Sequence, residues 1–197
     1  MNIYILRHGE TELNNNNILQ GSDIDCDINK FGRIQSNKFF KKYKKYPFQK
    51  IYVSQLKRTY QSVENFINLG LPYDILEGLN EISWGEKQGQ KDDIIEYKQL
   101  INSWLNGNLN EKFSNGESPL DVLKRINVAI KKIIKDNFND ILICTHGRAL
   151  RILLSWVINN DLTQMNIYKH SNLGLYLLKY ENDKFKIIKK NDRTHLF

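Results

Sequence analysis

The sequence is poor in the features that mark disulfide-rich, metal-binding or membrane-spanning proteins. Its 197 residues include only two cysteines, Cys26 and Cys144, which are too few for a disulfide framework and lack the spacing of a zinc site. No apolar run approaches the ~20 residues that a membrane helix needs. No basic segment followed by an apolar core opens the chain, as it would in a secretory signal. We therefore expect a protein of the reducing cytoplasm that has no bound metal and no membrane partner.

Charge, in contrast, is plentiful and mostly positive. Lys and Arg number 29 against 22 Asp and Glu, which gives a net charge of +7 at pH 7. In the densest basic run, 41–46, the lysines alternate with Tyr43 and Tyr46, which recur with Phe39 at helical spacing. An amphipathic helix with a solvated basic face accounts for this pattern, and no nucleic-acid-binding motif accompanies it. We therefore expect no nucleic-acid partner.

Short β-rich runs alternate with helical segments along the chain. Strands are predicted over about 2–6, 51–53, 73–76 and 140–144, with a closing hairpin at 173–180 and 184–190, and helices over about 30–46, 54–69, 94–105, 118–135 and 149–158. This alternation predicts an α/β fold. Residues 12–28 are predicted to form a loop. Residues 78–116 are rich in Gly, Asn and charge and are predicted to be a lid-like excursion.

Two predicted strands end in the same polar signature. The first strand ends in Arg7-His8-Gly9, and the 140–144 strand ends in Thr145-His146-Gly147-Arg148. Ligands of open α/β sheets bind outside the carboxyl ends of the strands. A guanidinium binds anionic oxygens in bidentate fashion and an imidazole can attack phosphorus, so the pattern suits a phosphoryl group. The other histidines, His170 and His195, lie in polar, loop-like contexts and are predicted to be structural or exposed.

The strand-end signatures belong to a longer, ordered series of motifs. In chain order these are Arg7-His8-Gly9-Glu10-Thr11 with Asn14, Leu19-Gln20-Gly21 with Gly32-Arg33 and Gln35, Ser54-x-Leu56-x-Arg58-Thr59-x-Gln61-Ser62, Leu79-Asn80-Glu81-Ile82 with Gly85 and Gly89, Gly116-Glu117-Ser118, and Thr145-His146-Gly147. From residue 3 to about residue 180 the chain resembles the histidine phosphatase superfamily, also called the phosphoglycerate mutase-like family. The resemblance implies one domain over 1–197, with a three-layer α/β/α fold and a mostly parallel central sheet with an antiparallel edge.

The resemblance also implies a two-step phosphoryl transfer through a phosphohistidine. It makes His8 the nucleophile and places Arg7, Arg58 and His146 around the phosphoryl oxygens. Such converging cationic donors suit the negative charge that spreads over three equatorial oxygens in the transition state, and they need no metal or other cofactor. Further contacts to the substrate are expected from Asn14, Gln20, Gly21, Gly147 and Arg148.

Two assignments stay open at the level of sequence. A leaving alkoxide needs a proton, so a carboxylic acid is expected beside the ester; Glu81 is favoured and Glu86 is the alternative. Arg148 would favour a substrate with another anionic group if it turns toward the pocket. If it turns outward, it is only a helix-start residue. Glu10 is expected to support the end of the first strand, and Glu117 is expected to belong to a helix N-terminus.

One further stretch of the sequence bears on the reaction class. The stretch Ser103-Trp104-Leu105-Asn106 lacks the paired arginines that follow a Trp in phosphoglycerate mutases. This favours a metal-independent phosphomonoesterase that acts on a small phosphorylated metabolite. The alternatives are a cofactor-dependent phosphotransferase of the mutase type and, with less support, a catalytically silent binding module. The sequence names neither the substrate nor the oligomeric state, and a homodimer is left open.

Overall fold

A six-stranded sheet forms the middle layer in a computed structural model, which describes every residue from Met1 to Phe197. The strands are β1 (Asn2–Arg7), β2 (Lys50–Val53), β3 (Tyr73–Ile75), β4 (Asp140–Thr145), β5 (Leu175–Glu181) and β6 (Lys184–Asp192). Their spatial order is β3-β2-β4-β1-β5-β6. The first four strands run parallel, β5 runs antiparallel to β1, and β6 runs antiparallel to β5. The predicted sheet, mostly parallel with an antiparallel edge, is confirmed.

Six α-helices accompany the sheet. They are α1 (Glu12–Asn15), α2 (Lys30–Tyr43), α3 (Lys57–Asn68), α4 (Ile95–Leu105), α5 (Pro119–Asp136) and α6 (Gly147–Leu154). Short 3₁₀ turns occupy Glu77–Leu79, Gly85–Lys87, Leu162–Ile167 and Thr194–Leu196, and a π turn over Ser155–Asn159 continues α6. None of these helices combines the length and apolarity that a membrane crossing requires.

The side chains of β1 alternate between two hydrophobic cores, one on each face of the sheet. Ile3 and Ile5 pack in a core that α4, α5 and α6 cover. Tyr4 and Leu6 pack in a second core that α2 and α3 cover. Because both faces of the strand are buried, its sequence is a continuous apolar run, as is typical of parallel strands. The helices on the two faces complete the three-layer α/β/α arrangement.

Local capping signals set the starts of two helices. Before α5, the Ser118 hydroxyl accepts from the Asp121 amide (3.2 Å) and the Asp121 carboxylate accepts from the Ser118 amide (3.1 Å), with Pro119 in the first turn. This start was predicted. The short helix α1 lies in a segment predicted to be a loop, where the Thr11 hydroxyl accepts from the Asn14 amide at 3.1 Å. Four residues are too few to show a helical period, so the sequence pattern does not predict this helix.

The carboxyl ends of β1 and β4 meet at one edge of the sheet. Arg7 is the register partner of Thr145, and the His8 amide donates to the Thr145 carbonyl at 2.9 Å. The residues that follow the two strands, His8 and His146, therefore emerge side by side. The antiparallel strand β5 begins at Leu175 beside the end of β1, so the segment just before β5 reaches the same edge.

Candidate active site

A cavity of about 310 Å³ opens at this edge of the sheet. Most of its lining is polar or charged, and its basic groups come from the end of β1, from the segment before β5 and from α6. The residues around it are Arg7, His8, Glu10, Asn14, Asn17, Ile18, Leu19, Gln20, Glu81, Trp84, Asp92, Tyr97, Gly147, Arg148, Arg151, His170 and Asn172. Seven of the ten residues that the sequence assigned to a site are among them; Arg58, Gly21 and His146 lie behind this surface.

His8 presents one free ring nitrogen to the cavity. Its Nδ1 lies 2.7 Å from the Gly9 carbonyl oxygen. A carbonyl can only accept, so Nδ1 carries the proton and Nε2 keeps its lone pair. Burial, together with the charges of Arg58 and Arg7, lowers the pKa of His8 well below its ordinary value. The imidazole is therefore neutral at physiological pH, which is the state a nucleophile needs.

Arg58 is completely buried behind His8. Its two terminal nitrogens donate to the carbonyls of Ile24 (2.7 Å) and Gly21 (3.1 Å), and its Nε donates to Nδ1 of His146 (3.2 Å). Gly21, which was expected to contact substrate, thus holds Arg58 through its carbonyl. A Cβ at Gly21 would lie 2.6 Å from the Ile82 carbonyl, so this glycine permits close backbone approach.

His146 has protein partners on both ring nitrogens. Arg58 Nε can only donate, so Nδ1 of His146 accepts, and the proton lies on Nε2, which donates to the Ser54 hydroxyl at 2.8 Å. The rings of His8 and His146 are 5.1 Å apart between centroids. Burial, then the charge of Arg58, lowers the pKa of His146 well below its ordinary value. The two histidines are neighbours with different environments, and only His8 has a free nitrogen.

Arg7 and His170 form the wall beside His8. An Arg7 Nη1 donates to Nδ1 of His170 at 3.2 Å, and the buried Arg7 Nε has no partner. Burial and the Arg7 charge lower the pKa of His170 to about 2. The prediction that His170 is structural or exposed was wrong about its place, because it precedes β5, which begins next to the end of β1. A Cβ at Gly147 would lie 2.8 Å from the His170 ring, so Gly147 makes room for it.

Glu81 lies on the N-terminus of α6. One carboxylate oxygen accepts from the amides of Ile82 (3.0 Å) and Ala149 (2.9 Å), and the other accepts from the amide of Arg148 (3.0 Å). The amides at the start of this helix therefore fix both oxygens of the Glu81 carboxyl group. Glu81 lines the cavity, whereas Glu86 is exposed on the turn that follows and does not line it. Of the two candidate acids, Glu81 and Glu86, the structure therefore brings only Glu81 to the site.

Amide side chains join the wall opposite. The Asn14 Nδ2 and the Thr11 hydroxyl both donate to Gln20 Oε1, at 3.3 and 2.9 Å. Asn172, which sequence reasoning missed, donates to the His8 carbonyl (2.9 Å) and the Asn14 side chain (3.0 Å). Asn14 and Gln20, which were expected to contact substrate, thus lie in the cavity wall. Asn172 shares the signal that could have found His170, namely its place just before β5.

Two arginines of α6 line the far side of the cavity. Arg148 turns toward it, with its guanidinium over the rings of Trp84 and Trp104 at 6.0 and 5.7 Å. Arg148 and Arg151 donate to the same Asn166 oxygen, at 2.9 and 2.8 Å. The buried Nε of Arg151 has no partner, and burial lowers the pKa of Arg151 to about 10. Sequence reasoning missed Arg151, although its i, i+3 spacing from Arg148 places both on one helix face.

Comparisons with known proteins find relatives that are named as phosphatases. A candidate phosphoserine phosphatase 2 of Hydrogenobacter thermophilus is 24% identical over 196 residues, covering 98% of this chain and 96% of that protein. The 6-phosphofructo-2-kinase/fructose-2,6-bisphosphatase 1 of Mus musculus is 26% identical over 184 residues, which span 90% of this chain but 38% of that protein. A solved phosphoserine phosphatase from Entamoeba histolytica, in complex with phosphoserine, superposes with a TM-score of 0.86 at 22% identity, covering 100% and 99% of the two chains; it shows the shared fold.

The match to a family model shows the family to which the chain belongs. The model for the histidine phosphatase superfamily, branch 1, matches residues 3–193, which is almost the whole chain and includes every motif that lines the cavity. The expected resemblance is confirmed. The chain belongs to the histidine phosphatase superfamily, and it is a phosphatase enzyme of that type.

Proposed function

We propose that this protein hydrolyses small phosphate monoesters in two steps through a phosphohistidine at His8, without a metal. The observation that carries the proposal is the free Nε2 of a neutral, buried His8, held by the contact of Nδ1 with Gly9. It faces a cavity that also contains Arg7 and Glu81. A neutral imidazole nitrogen, a guanidinium and a carboxyl group are the parts that such a transfer requires.

In the first step, His8 Nε2 forms a bond to phosphorus while the ester P–O bond breaks. Arg7 binds the equatorial oxygens with donors that include its unpartnered Nε. Behind the cavity surface, Arg58 adds a positive charge and the neutral His146 adds a polar ring. Glu81, entering the step as the carboxylic acid, gives its proton to the leaving alkoxide, which departs as an alcohol. The three amides around Glu81 fix the position of that carboxyl group.

In the second step, water attacks the phosphohistidine on the same face. The Glu81 carboxylate left by the first step accepts a proton from this water as the new P–O bond forms. The P–N bond breaks and returns the electron pair to His8 Nε2. Inorganic phosphate leaves, and His8 and Glu81 are restored to their starting forms.

Arg148 and Arg151 support a substrate that carries a second anionic group. They are the pair of guanidiniums on the α6 side of the cavity, and Arg151 has an unused buried donor. Guanidiniums in such a wall bind carboxylates and phosphates. The phosphoserine bound by the Entamoeba histolytica protein is an ester of this kind. We therefore propose a phosphorylated hydroxy acid, amino acid or related small anion as the substrate class.

A mutase-type transfer would use the same first step and then return the phosphoryl group to an organic acceptor. Trp104, after which mutases carry paired arginines, is fully buried here, stacked on Trp84 and donating to the Glu111 carbonyl. The arginine-free stretch that follows it supports hydrolysis over transfer.

The test is phosphate release by the purified protein in chelator, across a panel of esters with and without a second anion. We expect release without any bisphosphate primer, and faster turnover of esters that carry a carboxylate. Loss of activity in chelator would contradict the metal-independent mechanism. Release only after a bisphosphate is added would move the assignment to a mutase.

A further inference from the structure

One arginine outside the cavity uses all of its donors, three of them on the segment that carries Glu81. Arg125, in the second turn of α5, donates through Nε and one Nη2 proton to the Glu117 carboxylate at 2.8 and 2.9 Å. Its remaining three N–H groups go to the backbone carbonyls of Gly78 (3.1 Å), Asn80 (2.7 Å) and Glu81 (3.0 Å). A guanidinium has five N–H donors, so all five are engaged. We call Arg125 and Glu117 the Arg125 clamp.

The clamp holds the acid loop, residues 77–83, from both sides. Glu117 completes it, because its carboxylate accepts from the Ser83 amide and its own amide donates to the Ser83 carbonyl, both at 2.9 Å. The one carbonyl between the clamped ones, that of Leu79, accepts from the Thr145 hydroxyl at 2.8 Å. Four consecutive carbonyls before and at Glu81 are thus bound by side chains. A loop so bound loses the freedom that would let its carboxylate leave the site.

The backbone of the loop lies directly against α5. A Cβ at Gly78 would come within 2.3 Å of the Arg125 carbonyl. The loop therefore packs on the same turn of helix that supplies the guanidinium, and the start of that helix is fixed by the Ser118 capping box. The position of Glu81 is tied through this contact to a rigid element that takes no direct part in the cavity.

We infer that Arg125 is a positioning residue, which acts through the acid loop to hold Glu81 where it protonates the leaving group. The inference rests on the proposed function, since it assigns Arg125 a part in the proton transfer of that reaction. A positioning error of about 1 Å at a catalytic group is enough to cost much of its contribution.

The clamp differs from an ordinary surface ion pair. The Arg125 and Glu117 side chains are 18% and 26% exposed and join at two points, whereas the Arg33–Glu64 pair is 48% and 33% exposed and joins at one, 3.4 Å apart. A lysine at 125 would keep the positive charge but offers three donors at a single point instead of a planar fork. It could not bind Glu117 and three carbonyls together.

The experiment compares Arg125→Lys with Glu81→Gln, using two esters that differ in their leaving groups. An alkyl phosphate needs a proton on its leaving oxygen, whereas p-nitrophenyl phosphate expels a weakly basic phenolate that does not. We expect R125K and E81Q to lower kcat/KM for the alkyl ester by about 10²-fold, and for the aryl ester by less than about threefold. The matched control Arg33→Lys removes an arginine fork without touching the loop and should change neither value.

The double variant decides whether Arg125 acts through Glu81. If it does, R125K adds little further loss for the alkyl ester in the E81Q background, because the group that it positions is already gone. An equal loss for both esters from R125K, or full additivity with E81Q, would overturn the inference, because either result indicates a general structural role.

Two outcomes separate this inference from the proposed function. If the wild-type protein releases phosphate from no ester, the proposed function fails, and the inference fails with it. If E81Q shows the leaving-group difference and R125K does not, only the inference fails. If R125K does not fold, Glu117→Gln takes its place. This variant removes the negative charge that Arg125 binds, and it is compared with E81Q on the same two esters with the same two outcomes.

Discussion

At the scale of single residues, the two neighbouring histidines show how hydrogen bonding assigns different roles to one residue type. The Gly9 carbonyl holds the proton of His8 on Nδ1 and frees Nε2. Arg58 and Ser54 occupy both nitrogens of His146. Burial keeps both rings neutral. The nucleophile is therefore the histidine at the end of β1, and its identity follows from the partners of each nitrogen.

Arg151→Gln tests the proposed second-anion site at the same scale. The substitution removes an unpartnered buried donor and a positive charge, while Arg148 keeps its own contacts with Asn166 and Tyr97. We expect KM for an ester with a second carboxylate to rise by about tenfold or more, the value of one charged hydrogen bond. Steady-state kinetics with a simple alkyl phosphate should show almost no change.

The exposed residue Arg33 supplies the control for that experiment. Arg33→Gln removes the same charge from the whole molecule at a position on α2, where the side chain is 48% exposed. Equal rises in KM for both esters in R151Q, or a rise of KM in the Arg33 variant, would indicate a long-range charge effect in place of a binding site.

At the scale of elements, the contact between the start of α6 and the segment before β5 shapes the cavity. Gly147→Ala would place a Cβ 2.8 Å from the His170 ring, and the ring would have to move. Because His170 accepts from Arg7, Arg7 would lose a partner that orients it. We expect kcat/KM for phosphate esters to fall by roughly tenfold or more.

The double variant G147A/H170A checks that prediction. If the methyl group acts by displacing His170, then G147A lowers kcat/KM no further once the ring has been removed. Independent, additive losses in the two variants would contradict this cause and would place the effect of Gly147 elsewhere, for example in its own backbone contacts with the phosphoryl group.

The sequence predicted those elements whose pattern is local. The strands and the helices α2 to α6 have apolar periods or caps within a few residues, and the strand-end signatures of His8 and His146 follow directly from them. His170 and Asn172 were missed because no local pattern marks them. They reach the cavity only because β5 lies beside β1 in the sheet, and strand order is a property of the whole chain. The turn of Arg148 toward the cavity depends on Trp84 and Trp104, which are distant in sequence.

At the scale of the whole molecule, burying neutral histidines among arginines links stability to pH. The pKa of His170 is lowered to about 2, and the pKa values of His8 and His146 are lowered well below 6.5. In the unfolded chain these histidines bind protons below about pH 6.5. The unfolded state then holds more protons than the folded state, so the free energy of unfolding falls as the pH drops through that value.

Each such histidine contributes about 1.4 kcal/mol for each pH unit below about 6.5 and almost nothing above that value. For three of them we expect the free energy of unfolding, measured by urea denaturation, to fall by about 4 kcal/mol between pH 7.5 and pH 5.5. His170→Asn should remove about a third of this pH dependence. A free energy of unfolding that stays level across this range would show that the histidines are not held neutral in the folded protein.

The central claim is tested most directly by trapping the covalent intermediate. Wild-type protein is mixed with a rapidly cleaved phosphate ester, quenched in alkali, which preserves phosphohistidine, and digested for mass spectrometry. We predict a phosphoryl group on His8 that forms within one turnover. His8→Ala should show neither this adduct nor turnover, whereas His195→Gln, which changes a histidine that does not line the cavity, should keep both. Turnover by His8→Ala at a rate near that of the wild type, or a phosphoryl group on another residue in its place, would contradict the account.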